Sequence, residues 1–252
     1  MSDCDFLSGL QPIGSVIENA MTPEERHARL DSLSRQIERH PGIPHARALL
    51  RYKLTRDILA GNGDTLKRVL LDIEGGIACP PSDLATMKQR LTSLDSLLMA
   101  QLHNWVAGAH TVVDHMRNMM NDEALVRPEH LARYQAKVDV LSATPIAKLV
   151  KGMRNYILHR ELPGVAHSIN LGTLAIQISL DWKGMSEGKW PRVVRDFMDA
   201  RLPIVRLLPL VEEYETLVKE FHYWFVLDYN QEHGAALLDL ERLQKEFRQV
   251  RG

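Results

Sequence analysis

The chain is poor in cysteine, with Cys4 and Cys79 the only two among 252 residues. Two thiols provide neither a disulfide framework nor a cysteine-based zinc site. No run of about 18 apolar residues is present, so no membrane-spanning helix is expected. The opening residues lack a basic stretch followed by an apolar one, so no secretory leader is expected, and the expected location is the cytoplasm. Charge of one sign is also missing: the formal net charge is −1 with the eleven histidines neutral. A protein that coats DNA through its phosphates carries a clear basic excess, so that class is disfavoured. A local Arg/His patch that holds RNA is not. Neither Gly61-Asn62-Gly63 nor Gly75-Gly76 has the strand–Gly-x-Gly–helix setting of a phosphate loop. There is no serine nucleophile elbow and no fixed-period repeat.

What is present reads as a helical globular protein. Apolar residues make up 45% and charged residues 25%, which provides for a sizeable core in one large domain or two small ones. Thr22-Pro23-Glu24-Glu25 opens a first helix with a cap, a proline at the first position and acids at the positive end of the dipole. A second helix is expected from about Pro44 to Gly61-Asn62-Gly63, and a short third from Asp64 to Gly75-Gly76. Cys79-Pro80-Pro81-Ser82-Asp83 is a break, with Ser82 or Asp83 capping the longest helix, a spine over about 82–120. Leu84, Met87, Leu91, Leu94, Leu98, Leu102, Trp105, Ala109, Val112, Met116 and Met119 recur there at steps of three and four. Shorter helices follow from Arg127-Pro128 and from Thr144-Pro145.

The period then changes from helix to strand. Leu174, Ile176, Ile178, Leu180 and Trp182 alternate with Ala175, Gln177, Ser179 and Asp181, predicting a small β element at about 173–182. Val165–Ile169 of the same chain, or the same strand of a second copy, can pair with it. A short helix after Trp190-Pro191, a long one from Pro203, and a terminal one after Gly234 complete the expectation. The fold class is mainly α, a multi-helix bundle. The expected division is 1–78, N-terminal helices, and 79–252, a bundle with a strand insertion and long C-terminal helices; a single domain is the alternative.

Chemistry concentrates in Lys151-Gly-Met-Arg-Asn-Tyr-Ile-Leu-His-Arg160. Histidine exchanges a proton near pH 7, arginine holds a phosphate and stabilises added charge, and Asn155 can orient either group. Asn155 and His159 are four residues apart on one helix face. Arg154 sits about 100° away, within reach of its long side chain. The bland reading pairs Arg154 with a carboxylate and leaves His159 at a helix end, where cations are favoured. Spacing alone decides little, because Arg35 and His40 repeat it before Pro41.

The segment Arg154-Asn155-x3-His159, on a helix late in a helical bundle, resembles the signature of the HEPN superfamily. The resemblance covers the motif and the bundle over roughly 82–160, not the N-terminal helices, the strand or the long C-terminal helices. It implies a bundle that forms a homodimer with the two motif helices facing each other. It also implies metal-independent endoribonuclease activity of a toxin–antitoxin or phage-defence type, without a cofactor. The ribose 2′-OH is then the nucleophile, Arg154 and His159 are catalytic with Asn155 orienting, and Lys151 and Arg160 bind RNA. An antitoxin or regulatory protein is an implied partner. Other members are binding modules without activity, so a non-catalytic helical interaction or scaffold protein is the rival. A small-molecule binding bundle is a third reading.

Two other clusters carry candidate chemistry. His103, His110, Asp114 and His115 lie on the spine. His110 and Asp114 share a face, but no His-x3-His pair is present, so a polar face is expected rather than a metal site. Phe221, Tyr223, Trp224, Phe225 and Tyr229 can stack bases. Without interleaved basic residues they are expected to pack in the core or a dimer.

Overall fold

The computed structural model describes residues 21–75, 84–122, 125–170 and 175–252. Within them the chain is mainly helical, with eight helices and one small antiparallel sheet. The helices are α1 (Pro23–Glu38), α2 (Gly42–Gly75), α3 (Leu84–Met120), α4 (Pro128–Ser142) and α5 (Pro145–His159), then α6 (Trp182–Met185), α7 (Arg192–Asp199) and α8 (Leu207–Arg251). Strands β1 (Val165–Asn170) and β2 (Ala175–Leu180) precede α6, and β3 (Val205–Arg206) precedes α8. No helix among the described residues is long and apolar enough to cross a membrane.

The chain divides into two compact units. One takes in residues up to Ile43 with Ala236–Gly252, the other Pro44–Ala235. In the first, Thr22 caps α1 in a reciprocal box. Its hydroxyl accepts from the Glu25 N–H at 3.2 Å, and the Glu25 carboxylate accepts from the Thr22 N–H at 2.8 Å. Leu33 and Leu240 are buried, and Arg29 pairs with Glu246.

In the second unit α3 is the spine. Leu98, Leu102, Trp105, Ala109, Val112, Met116 and Met119 are buried along it, the three-and-four pattern of a helix with one apolar stripe. The caps Ser82 and Asp83, the break at Cys79–Asp83 and the side chains of Leu84, Met87 and Leu91 lie outside the described residues. Helix α2 departs from expectation: it continues through Gly61-Asn62-Gly63, with no separate helix at Asp64. Glycine inside a helix costs only about 0.5–1 kcal/mol relative to alanine. Full burial of each of Leu59, Leu66, Leu70 and Ile73 along α2 contributes about 1.5–3 kcal/mol, so packing wins. Gly63 is needed for close approach, because a Cβ there would collide with the Glu215 carboxylate and lie 3.4 Å from Trp105. From α3, a Cβ on Gly108 would lie 3.5 Å from the Leu59 backbone.

Helix α8 likewise runs through Gly234 without a break. It starts at Leu207 rather than Pro203, so Pro209 falls in the first turn, where its missing N–H has no helical partner to lose. The aromatic cluster divides: Phe225 and Tyr229 are fully buried, whereas Tyr223 is exposed.

The strand prediction is corrected at its ends. Strand β2 stops at Leu180, and Trp182 opens α6, whose cap Asp181 accepts from the Gly184 N–H at 3.0 Å. Leu174 lies outside the described residues. The partner is within the chain: β1 pairs antiparallel with β2, Val165 opposite Leu180, and β3 adds Val205 opposite Leu180 on the other edge. Ile176, Ile178 and Leu180 are buried and Gln177 is exposed, as alternation requires.

Candidate active site

Helix α5 carries the site. Thr144 caps it, accepting from the Ala147 N–H at 3.4 Å, and Pro145 takes the first position. Ile146, Leu149, Val150, Met153 and Tyr156 form its buried stripe. The opposite stripe is Lys148, Lys151, Asn155 and His159, at steps of three and four, so the residues that anchor the helix also fix the direction of the polar row. Trp190 sets the helix position. A Cβ on Gly152 would collide with its ring. That indole donates to the Met185 carbonyl at 2.7 Å, meets Trp182 edge-on at 5.3 Å and stacks on Tyr156 at 6.1 Å. At the helix end the Tyr156 hydroxyl donates to Glu161 at 2.7 Å. Burial pushes this phenol up, and its bond to Glu161 adds to the effect.

The polar row opens on a cleft of about 970 Å³ in the second unit. Lys148, Lys151, Arg154, Asn155 and His159 line it from α5 and Arg160 from the cap that follows, with His110 and Arg117 from α3 and Asn121 just after it. Lys189 joins them, while Val106, Val112, Val113, Val138, Leu217 and Phe221 form apolar wall. Thus all five residues singled out in this segment, Lys151, Arg154, Asn155, His159 and Arg160, line one cleft. Among the described residues, no lining residue is an aspartate or glutamate. No carboxylate among them pairs with Lys148, Lys151, Arg154, His159 or Arg160. Cations facing a cleft with no acid in its lining give it a positive potential, the electrostatics that a bound anion requires.

The repeated spacing at Arg35 and His40 shows the alternative fate of such a pair. His40 Nδ1 accepts from the Gly42 N–H at 3.0 Å, and Nε2 meets Asp239 at 3.1 Å. That ring has both nitrogens engaged in holding the chain, whereas His159 is exposed on the cleft.

The α3 cluster also divides. His115 donates to the Thr55 hydroxyl at 2.8 Å, a structural contact, because that hydroxyl itself donates to the Arg51 carbonyl. His103 is exposed. No group of three among the described residues is placed to hold a metal ion. His110, read from the sequence only as part of a polar spine face, is in the cleft with Arg154. Its Nε2 lies 3.3 Å from Asp114 Oδ2, and Arg117 meets the other oxygen of that carboxylate at 3.1 Å. Burial holds the His110 imidazole below its usual range; Asp114 opposes this, and Arg154, Arg117 and Lys151 reinforce it. The i, i+4 pair of His110 and Asp114 was visible in the sequence. That α5 lies across from it was not, because helix adjacency is a tertiary property.

No family model, no curated protein and no solved structure matches this chain.

Proposed function

We propose that the cleft binds RNA and that the chain is a HEPN-like, metal-independent endoribonuclease of the toxin–antitoxin or phage-defence type. One observation carries this reading: Arg154 and His159 open on a single cleft with no carboxylate in its lining and no ion pair to either side chain among the described residues. Arg154 holds the scissile phosphate and stabilises its growing negative charge. His159 transfers a proton as general acid or base, and Asn155 orients one of them. Lys151 and Arg160 hold flanking phosphates, which makes affinity fall with salt. The working form is a homodimer with the α5 helices of two copies facing each other, held in check by an antitoxin or regulatory protein.

Cleavage of single-stranded RNA in the presence of a chelator tests this reading. Arg154→Ala and His159→Ala should each lower the rate by about 100-fold or more, the lower range for a positioned proton-transfer group or a preorganised donor. Both variants should remain folded, because neither side chain is buried. Expression of the wild type, but not of His159→Ala, should arrest growth.

A second reading, a non-catalytic interaction protein, is favoured by a separate feature. Leu50, Leu54 and Ile58 are 57, 56 and 60% exposed along one face of α2, an apolar stripe of the kind that contacts other proteins. Full retention of activity in both variants, or no cleavage by the wild type, would transfer support to it.

A further inference from the structure

Resting on the ribonuclease reading above, we infer that His110, held by Asp114, is the general base of the cleft, so that one copy of the chain contains both proton-transfer groups, His110 and His159. The geometry separates the two nitrogens of His110. Nε2 lies 3.3 Å from Asp114 Oδ2, an ion-pair distance without the alignment of a hydrogen bond, and Nδ1 has no partner among the described residues. The negative charge of Asp114 on the Nε2 side favours the tautomer that carries its proton on that nitrogen. The lone pair is therefore on Nδ1, and the residue lines the cleft. Asp114 does not line the cleft, so it is a positioning residue, anchored in turn by Arg117 at 3.1 Å.

The charged groups around His110 explain why it suits the base and not the acid. Burial, Arg154 and Lys151 across from it on α5, and Arg117 on its own helix all favour the neutral ring; Asp114 alone favours the charged one. A base must be unprotonated at the working pH to accept a proton. In the step, the ribose 2′ oxygen bonds to phosphorus as its proton passes to Nδ1 of His110. The bond from phosphorus to the 5′ oxygen breaks, and that oxygen takes a proton from His159. Atoms and charge balance without water, metal or redox partner, and the products are a 2′,3′-cyclic phosphate and a 5′-hydroxyl. Arg154 and Lys151 face the phosphorane that forms between the two histidines.

The test uses the full chain and a 5′-labelled unstructured RNA of mixed sequence, with the matching DNA as control and a chelator present. His110→Ala should slow cleavage about 100-fold or more while RNA binding and helical content stay unchanged, and added imidazole should restore part of the rate. Asp114→Asn should leave cleavage measurable but move the acid limb of the pH–rate profile to lower pH, because the lost carboxylate no longer favours the imidazolium. If His159→Ala is inactive and His110→Ala cleaves like wild type, this inference is overturned and the ribonuclease reading stands. If His110→Ala is slow but Asp114→Asn leaves the acid limb in place, the positioning role is overturned. If the wild type cleaves no RNA, both readings fall together.

Discussion

Gly152 has no room for a side chain. A Cβ at that position would collide with the Trp190 ring, with a second ring carbon at 2.9 Å. Trp190 cannot yield, because it is buried between Tyr156 and Trp182 and its indole N–H is bonded to the Met185 carbonyl. Gly152→Ala should therefore lower stability by about 1–3 kcal/mol, the usual range for overpacking, as read from urea unfolding monitored by tryptophan fluorescence. It should also reduce the proposed RNA cleavage in the folded fraction, since the shift would move Lys151, Arg154 and Asn155 together. A stability equal to wild type would mean that Trp190 does not fix the helix. At this scale the sequence was legible in part. The polar row from Lys151 to Arg160 was evident from spacing, and Thr144-Pro145 marked the helix start. The contact partner of Gly152 was not, because Trp190 lies beyond the sheet in the chain, and no local pattern relates them.

Three glycines that read as breaks are inside helices, and their surroundings differ. At Gly61 and Gly234 nothing lies within 4 Å of where a Cβ would be, whereas Gly63 faces Glu215 and Trp105. Alanine at an open position in a continuous helix reduces the conformational freedom of the unfolded chain and introduces no clash. Gly61→Ala and Gly234→Ala should each raise stability by about 0.5–1 kcal/mol. Gly63→Ala should lower it, because displacing the Glu215 carboxylate disturbs its 2.6 Å bond to Lys67. Thermal unfolding of the three variants checks the order; destabilisation by Gly61→Ala would place a real break in α2 there. The elements themselves were largely legible: α1, α3, α4 and α5 follow from caps and three-and-four periodicity, and β2 from its alternation. The continuity of α2 and α8 was not, since Gly61, Gly63 and Gly234 weaken a helix locally while the burial that outweighs them comes from distant residues. The two-residue strand β3 and the single-turn helix α6 are too short for a periodic signal.

For the whole molecule, averages conceal what the fold gathers. The net charge of −1 is the sum of a surface rich in both signs and a cleft lined by six lysines and arginines without an acid among the described residues. The same gathering brings together three histidines far apart in the chain. His45 of α2 stacks on His233 of α8 at 4.0 Å, and His130 of α4 lies 5.7 Å from His233, with Tyr229 against all three. His130 is fully buried. Its Nε2 is 3.0 Å from Asp228 Oδ2 without the alignment of a hydrogen bond, and Asp228 is engaged by Arg133 at 2.9 Å. Burial holds all three imidazoles below the usual histidine range, and His233, further opposed by its two histidine neighbours, is brought down to about 4. In the unfolded chain each takes up a proton near about pH 6.5. Between about pH 6.5 and 4 the unfolded state therefore binds more protons than the folded one, and stability falls as pH falls. Carboxylates held low by their partners, such as Glu232 beside Arg133, act only near and below the carboxylate range of about 4, so the upper part of the window reports the histidines. Urea midpoints measured from about pH 7.5 down to about pH 4.5 should decline steadily, and His233→Phe, which keeps an aromatic ring against His45 and Tyr229, should flatten the decline. A midpoint that stays level across this window, or a slope unchanged in His233→Phe, would show that the cluster accepts protons without strain on the fold. The outcome also bears on the cleft, because burial likewise holds His110 below the usual histidine range, and the proposed acid limb is read correctly only from rates scaled to the folded fraction at each pH.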